Sequence, residues 1–245
     1  MPYLDLAGHR TYHEVIGDGA PVVLLHGGFC SLENLRAVSE SLVPGYRVHA
    51  AERPGHGRTA DREGPYDYGA IAAETIAYLD AQGVESAHVV GYSDGGNAGL
   101  LMARDHPERV RSLVAISANL DQTAWVGEER HERAVPLDTV RRLDEEYAAL
   151  SPDGPEHAPV IEAKLHELWT TAPDIPTASL AGVAAPVLVM AGQHDMIALD
   201  HTALIAESIP GAELCVVPGT SHLLVMERPA LIGRIVREFF DGIEA

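Results

Sequence analysis

The chain has few cysteines, few basic residues and no long hydrophobic run. Only Cys30 and Cys215 occur among 245 residues, so the sequence indicates neither a disulfide framework nor a zinc site. Lysine and arginine number 17 against 36 acidic residues, and the formal net charge of -19 makes nucleic acid and anionic membrane surfaces poor partners. No stretch approaches the roughly 20 apolar residues of a membrane span. Because the first residues also lack a signal-peptide pattern, we expect a cytoplasmic protein.

Short β-branched runs alternate with helical patterns along most of the chain. The runs, bounded by Gly or Pro and too short for core helices, cover residues 11–16, 22–25, 46–50, 88–90, 113–116, 186–192 and 212–217. Apolar residues at helical spacing predict helices over residues 32–42, 68–81, 96–105 and 229–240. This alternation is typical of an α/β fold, in which helices cover both faces of a mainly parallel sheet.

The pattern changes between residues 119 and 180. Strand-like runs are missing there, and helical patterns over residues 137–150 and 160–170 flank a turn rich in Pro and Gly. We therefore predict one α/β core formed by residues 1–118 and 181–245, into which residues 119–180 are inserted as a helical cap. The cap offers four candidates for the wall of a substrate pocket, each with core packing as its alternative role: Trp125, Tyr147, Leu165 and Trp169.

The strongest motif is Gly91-Tyr-Ser-Asp-Gly95, a G-x-S-x-G that follows a predicted strand and precedes a predicted helix. A serine on such a sharp turn has a strained backbone and needs small neighbours, which the glycines provide. Ser93 would then lie at the start of a helix, where unpaired backbone N–H groups can stabilise a developing oxyanion. The alternative is a plain strand-to-helix turn that happens to contain a serine.

A nucleophilic serine needs an imidazole as its base and a carboxylate that orients the imidazole, here in the chain order Ser, acid, His. His222 follows the last predicted strand, and Asp195 follows the strand before it. Both therefore leave the carboxyl edge of the sheet, where open α/β folds build their sites. Asp121, which follows the run over residues 113–116, is the alternative acid.

The motif His26-Gly-Gly-Phe29 follows the strand over residues 22–25 and offers unhindered backbone N–H groups opposite the serine. We expect the oxyanion hole to combine the N–H of Asp94 with that of Gly28 or Phe29. The glycines of Glu52-Arg-Pro-Gly-His-Gly57 are interpreted as scaffold that turns the chain after a strand, with Arg53 paired internally.

Together these motifs resemble the α/β-hydrolase superfamily along essentially the whole chain. They are His26-Gly-Gly, Glu52-Arg-Pro-Gly-His-Gly, Gly91-Tyr-Ser-Asp-Gly-Gly, Gly192-Gln-His-Asp and Gly219-Thr-Ser-His. The resemblance implies an α/β-hydrolase fold with a cap, in which Ser93 is the nucleophile, Asp195 the acid and His222 the base. It leaves the substrate open, because this fold hosts many unrelated reactions.

The predicted reaction is acyl transfer from a small-molecule substrate to water, with no cofactor or metal. The substrate would be a carboxylic ester, a lactone or an α-amino-acid ester. Two alternatives stay open: a cofactor-free perhydrolase, haloperoxidase, C–C hydrolase or lyase on the same fold, and a non-catalytic ligand-binding protein. The sequence also leaves open whether the chain forms a homodimer.

The elbow Ser93-Asp-Gly-Gly is similar, more narrowly, to that of the valacyclovirase and biphenyl-hydrolase-like esterases. This likeness implies that Asp94 binds the α-ammonium group of an amino-acid ester, through a charge-assisted hydrogen bond. The alternative is that Asp94 only stabilises the start of its helix through the helix dipole. The chain departs from that narrower group around His26-Gly-Gly-Phe29, so both interpretations remain.

Overall fold

A computed structural model describes residues 2–43, 45–127 and 133–244. The strands are β1 (Tyr3–Leu6), β2 (His9–Ile16), β3 (Gly19–Leu25), β4 (Gly45–Ala51), β5 (Ala87–Tyr92), β6 (Val110–Ile116), β7 (Val187–His194) and β8 (Glu213–Ser221). The helices that matter here are α1 (Arg36–Leu42), α2 (Tyr68–Ala81), α3 (Asp94–Asp105), α4 (Leu137–Leu150), α5 (Ala158–Thr171), α6 (Leu199–Ser208), α7 (Leu224–Glu227) and α8 (Pro229–Glu244).

The strands form one sheet in the order β1-β2-β4-β3-β5-β6-β7-β8. From β4 to β8 all neighbours in this order are parallel, and β2 pairs antiparallel with both β1 and β4. The predicted α/β-hydrolase fold, with a mostly parallel sheet, is therefore confirmed. Because the strands run in parallel, the carboxyl ends of β5, β6, β7 and β8 lie along one edge of the sheet.

Alternating side chains of the central strands supply both faces of the core. On β3, Val22 and Leu24 belong to a cluster that also holds side chains of α1 and α8, whereas Val23 and Leu25 belong to a cluster with side chains of α2 and α3. All four are at most 7% exposed. Burial of such a side chain stabilises the folded state by about 1.5–3 kcal/mol. Packing on both faces therefore fixes the position of β3 and of the carboxyl edge of the sheet.

Strand β1 is an element that the sequence patterns did not predict. It pairs with β2, which begins at His9, and the two are joined by Ala7 and Gly8, both with positive φ. Positive φ at both central residues is the geometry of a tight hairpin turn that matches strand twist. With only four residues, β1 was too short to be distinguished by its pattern.

Helices α4 and α5 lie between β6 and β7, as the patterns over residues 137–150 and 160–170 predicted. We refer to residues 119–180 as the β6–β7 segment; residues 128–132 within it lie outside the described residues. Ala124 and Val126 form backbone hydrogen bonds with the loop between β7 and α6. Ala198 N donates to Ala124 O at 2.7 Å, and Val126 N donates to Met196 O at 2.8 Å. Among the described residues, no helix has the length and apolar content needed to cross a membrane.

Candidate active site

Ser93 lies on a strained turn between β5 and α3. Its φ of 54° and ψ of -117° are unusual for a residue with a side chain, and such strain persists only where the surrounding structure enforces it. A Cβ on Gly91 would collide with the carbonyl of Gly95, and a Cβ on Gly95 would collide with the carbonyl of Leu25. The glycines therefore permit the close approach of helix and strand that presents Ser93.

The helix after Ser93 begins at Asp94, two residues earlier than the pattern predicted. Gly95 and Gly96 suggested a turn, because glycine is unfavourable inside a helix. Tertiary packing overrides that preference here, since the close contact with β3 requires glycine. Asp94 is consequently the first residue of α3, and the N–H groups of a first turn have no partner within the helix.

The structure brings Ser93, His222 and Asp195 together at the carboxyl edge of the sheet. His222 Nε2 is 3.1 Å from Ser93 Oγ, and His222 Nδ1 is 2.6 Å from Asp195 Oδ1. An ionised carboxylate only accepts hydrogen bonds, so Nδ1 carries the proton and Nε2 is free to accept from the serine hydroxyl. This is the geometry in which an imidazole can take the serine proton.

Asp195 is buried but well supplied with donors. Its Oδ1 also accepts from Ile197 N at 3.1 Å, and its Oδ2 accepts from Ser117 Oγ at 2.5 Å and from Gly192 N at 3.2 Å. Burial alone would raise the pKa of this carboxyl, but the His222 imidazole and the hydrogen bonds outweigh burial and hold the pKa below its usual range. Asp195 is therefore ionised at neutral pH.

The alternative acid, Asp121, contacts other groups. It caps a short turn, with its Oδ1 accepting from the backbone N–H of Thr123 at 2.7 Å. His222 Nδ1 faces Asp195 instead, so the contacts favour Asp195 as the partner of the imidazole. Both carboxylates follow strands of the same sheet, and of the two the structure places Asp195, the acid that the sequence favoured, against His222.

Ser117 is a site residue that sequence reasoning missed. It follows β6 directly, has a φ of 53° and donates its hydroxyl to Asp195. Its position one residue past a strand end, on the same edge as the other groups, is the signal that could have found it.

Replacing Ser117 with alanine is expected to lower kcat/KM for a p-nitrophenyl ester by about tenfold, because a hydrogen bond to a charged group contributes about 1.5–3 kcal/mol. Steady-state kinetics on the purified variant measures this. Ser112→Ala is the matched control, because Ser112 is a buried, hydrogen-bonded serine on β6, the strand that Ser117 follows, and its partner is His88. Unchanged kcat/KM in Ser117→Ala would contradict this role.

The loop after β3 is held by internal hydrogen bonds. Arg53 Nη2 donates to Gly27 O at 2.7 Å, and Arg53 N donates to His26 Nε2 at 3.1 Å, so the predicted internal pairing of Arg53 is present. Burial, together with the neighbouring Arg53 charge, holds the pKa of His26 well below its usual value, so His26 is neutral. Phe29, the next residue after the two glycines, has a φ of 55°.

A cavity of about 430 Å³ opens onto Ser93 and His222. The sequence candidates Gly28, Phe29, Asp94, Trp125, Leu165 and Trp169 line it, and several aliphatic side chains add to its apolar wall. Tyr147 does not line this cavity; its ring stacks on that of Phe29 at a centroid distance of 5.0 Å. The charged side chains in the described lining, apart from histidine, are Asp94, Asp144 and Glu162.

Asp94 points away from bulk solvent and is only 2% exposed. Its Oδ1 accepts from Tyr68 OH and from Trp169 Nε1, both at 2.9 Å. Its Oδ2 is 3.8 Å from Arg53 Nη2 and has no hydrogen-bond partner among the described residues. The carboxylate therefore joins the elbow to α2 and to α5.

The sheet order, the strained serine turn and the groups at the strand ends define a hydrolase of the α/β class. The sequence profile of the α/β-hydrolase fold family matches residues 20–151, more than half of the chain. The chain belongs to this family.

Several proteins that are similar to this chain are named as hydrolases or esterases. The chain is 27% identical over 268 residues to a protein named as a carbamate hydrolase, RutD of Azorhizobium caulinodans, with 100% of both chains covered. It is 26% identical over 256 residues to the pimeloyl-acyl-carrier-protein methyl ester esterase of Yersinia enterocolitica, covering 94% of this chain and 97% of the esterase. The solved structure of Est816, an N-acyl homoserine lactone degrading enzyme, has a TM-score of 0.75 and 26% identity, covering 97% of this chain and 100% of that one. The chain is accordingly a hydrolase.

Proposed function

We propose that this hydrolase cleaves a small ester-type substrate through Ser93, His222 and Asp195. The observation that carries the proposal is the continuous contact from Ser93 Oγ to His222 Nε2 and from His222 Nδ1 to Asp195 Oδ1. Each member has one role in it: Ser93 is the nucleophile, His222 the general base and Asp195 the group that orients the imidazole.

The reaction begins when His222 Nε2 takes the Ser93 proton and Oγ attacks the substrate carbonyl. The oxyanion forms against the N–H of Asp94 and an N–H of Gly28 or Phe29, which stabilise it by hydrogen bonds. His222 then gives its proton to the departing alkoxide, which leaves an acyl group on Ser93. A water molecule, deprotonated by the same imidazole, releases the acid and restores Ser93.

The cavity supports a small and largely apolar substrate. Its volume of about 430 Å³ lies within the usual range for small-molecule sites, and Trp125, Trp169 and Leu165 make its wall apolar. Asp144 and Glu162, both exposed, place negative charge at its rim. Neutral or cationic esters and lactones therefore fit this site better than substrates that carry a free carboxylate. We propose that the β6–β7 segment is the cap that closes this cavity.

The methyl ester, the lactone and the carbamate in the names of the relatives share a carbonyl bonded to a heteroatom leaving group. Attack by a serine oxygen on such a carbonyl is the chemistry that the Ser93–His222 pair can perform. The test is the hydrolysis of two matched series, neutral short-chain p-nitrophenyl esters and α-amino-acid esters. If the native protein hydrolyses neither series, that result counts against the proposal.

Asp94 has two candidate roles: binding a substrate ammonium group, or holding the elbow. Its Oδ1 already accepts two hydrogen bonds and its charge faces Arg53, which favours the holding role. In Asp94→Asn we therefore expect kcat/KM to fall by the same factor for neutral and α-amino esters. A charge-assisted contact to the substrate would be worth about 1.5–3 kcal/mol, so a loss about tenfold larger on α-amino esters alone would instead assign ammonium binding to Asp94.

A further inference from the structure

Every residue that we propose for the oxyanion hole contacts a side chain of the β6–β7 segment. Trp169, on α5, donates its indole N–H to Asp94 Oδ1 at 2.9 Å. Tyr147, on α4, stacks its ring on Phe29 with an interplanar angle of 15°. Gly28 packs closely against α5: a Cβ on Gly28 would lie 2.7 Å from the indole of Trp169 and 3.2 Å from the side chain of Leu165.

Two further hydrogen bonds hold the chain just after β3. Ser31 Oγ donates to Glu146 Oε1 at 2.6 Å, and Asn34 Nδ2 donates to Glu146 Oε2 at 3.2 Å. Glu146 is on α4, next to Tyr147, so α4 contacts the loop after β3 at two consecutive residues. Helices α4 and α5 therefore hold both halves of the oxyanion hole, α4 the loop after β3 and α5 the start of α3.

These contacts matter because the donors must be placed accurately. A backbone N–H stabilises an oxyanion only at about 2.7–3.1 Å, and loss of one such donor typically costs about 10²–10³ in kcat. Phe29 and Ser93 both have positive φ, a conformation that persists only when neighbouring groups enforce it. In the β6–β7 segment, Tyr147 contacts the side chain of Phe29 and Trp169 contacts that of Asp94.

We infer that Trp169 and Tyr147 are positioning residues that set the geometry of the oxyanion hole through their contacts with Asp94 and Phe29. The inference rests on the proposed function of the same site. It assigns the segment a role in the transition state, whereas a pocket wall would affect only the affinity for substrate.

The first test is Trp169→Phe, which removes the indole donor and keeps an aromatic ring. We expect kcat to fall about tenfold with KM changed less than twofold, because a displaced donor weakens binding of the transition state and leaves ground-state binding intact. A trifluoromethyl ketone supplies a second readout. Ser93 Oγ adds to its carbonyl carbon, the Oγ proton goes to His222, and the resulting oxyanion occupies the hole. Its affinity should fall by the same factor as kcat/KM.

Two further variants make the test specific. In an Asp94→Ala background, Trp169→Phe should have no additional effect on kcat, because the indole acts through the Asp94 carboxylate. Tyr147→Leu removes the stack on Phe29 from the other helix and should also lower kcat. Glu167→Gln is the control, since Glu167 is an exposed residue of α5 outside the cavity lining and should leave kcat and KM unchanged.

The outcomes separate the inference from the function on which it rests. Thermal unfolding measures whether the variants are folded. If folded variants have a higher KM and an unchanged kcat, Trp169 and Tyr147 contribute to substrate binding only, and the inference is overturned. An unreduced affinity for the trifluoromethyl ketone in Trp169→Phe would do the same. Ester hydrolysis that is as fast in Ser93→Ala as in the native protein would instead overturn the proposed function, and the inference with it.

Discussion

Replacing Ser93 with alanine is expected to lower kcat for ester hydrolysis by about five to six orders of magnitude. Losses of this size are typical when the nucleophile of a serine triad is removed, because the acyl-enzyme route is closed. Steady-state kinetics on the ester preferred by the native protein measures the loss. The fold should survive, because the hydroxyl is removed from a contact with His222 and no packing group is lost.

Covalent trapping gives an independent check on Ser93. A sulfonyl fluoride should form one adduct on the native protein, with loss of fluoride, and peptide mass spectrometry should locate it on Ser93. Ser93→Ala should form none. Full activity in Ser93→Ala, or an adduct on a different residue, would show that another group is the nucleophile.

Replacing Asp195 with asparagine is expected to lower kcat by about four orders of magnitude, a loss of the size known for the orienting acid of other serine triads. The change keeps the shape of the side chain but removes the negative charge that accepts the hydrogen bond from His222 Nδ1. Without it, the ring loses the tautomer in which Nε2 accepts from Ser93, and the imidazolium loses its counter-charge. Kinetics on the same ester measures the effect.

The structure supplies a matched control in Asp121→Asn. Asp121 follows a strand of the same sheet but bonds to Thr123, so its amide variant should keep the native kcat. Ser93→Ala combined with Asp195→Asn should be no slower than Ser93→Ala alone, because the members of a triad act as a unit. A loss in Asp121→Asn as large as that in Asp195→Asn would reassign the acid, and additive losses in the double variant would argue against a shared mechanism.

Much of the fold could be predicted from the sequence because its signals are local. Apolar periodicity located the core strands and the helices α2 and α4, and the chain order of Ser93, Asp195 and His222 follows the strand ends. The prediction missed β1, whose four residues carry little pattern, and placed the start of α3 too late. Gly95 and Gly96 are poor helix formers, and the need for them lies in the contact with β3, which is distant in the chain.

For the site, too, some features follow from local sequence patterns and others only from the packing of the fold. The sequence alone determined that a serine on a strained turn, an imidazole and a carboxylate all leave one edge of a parallel sheet, because these positions follow from strand and turn patterns along the chain. Only the tertiary structure decided that His222 faces Asp195, that Ser117 donates to Asp195, and that Tyr147 lies behind Phe29. These contacts join residues far apart in the chain, and their distances depend on how helices and strands pack, which no local pattern encodes.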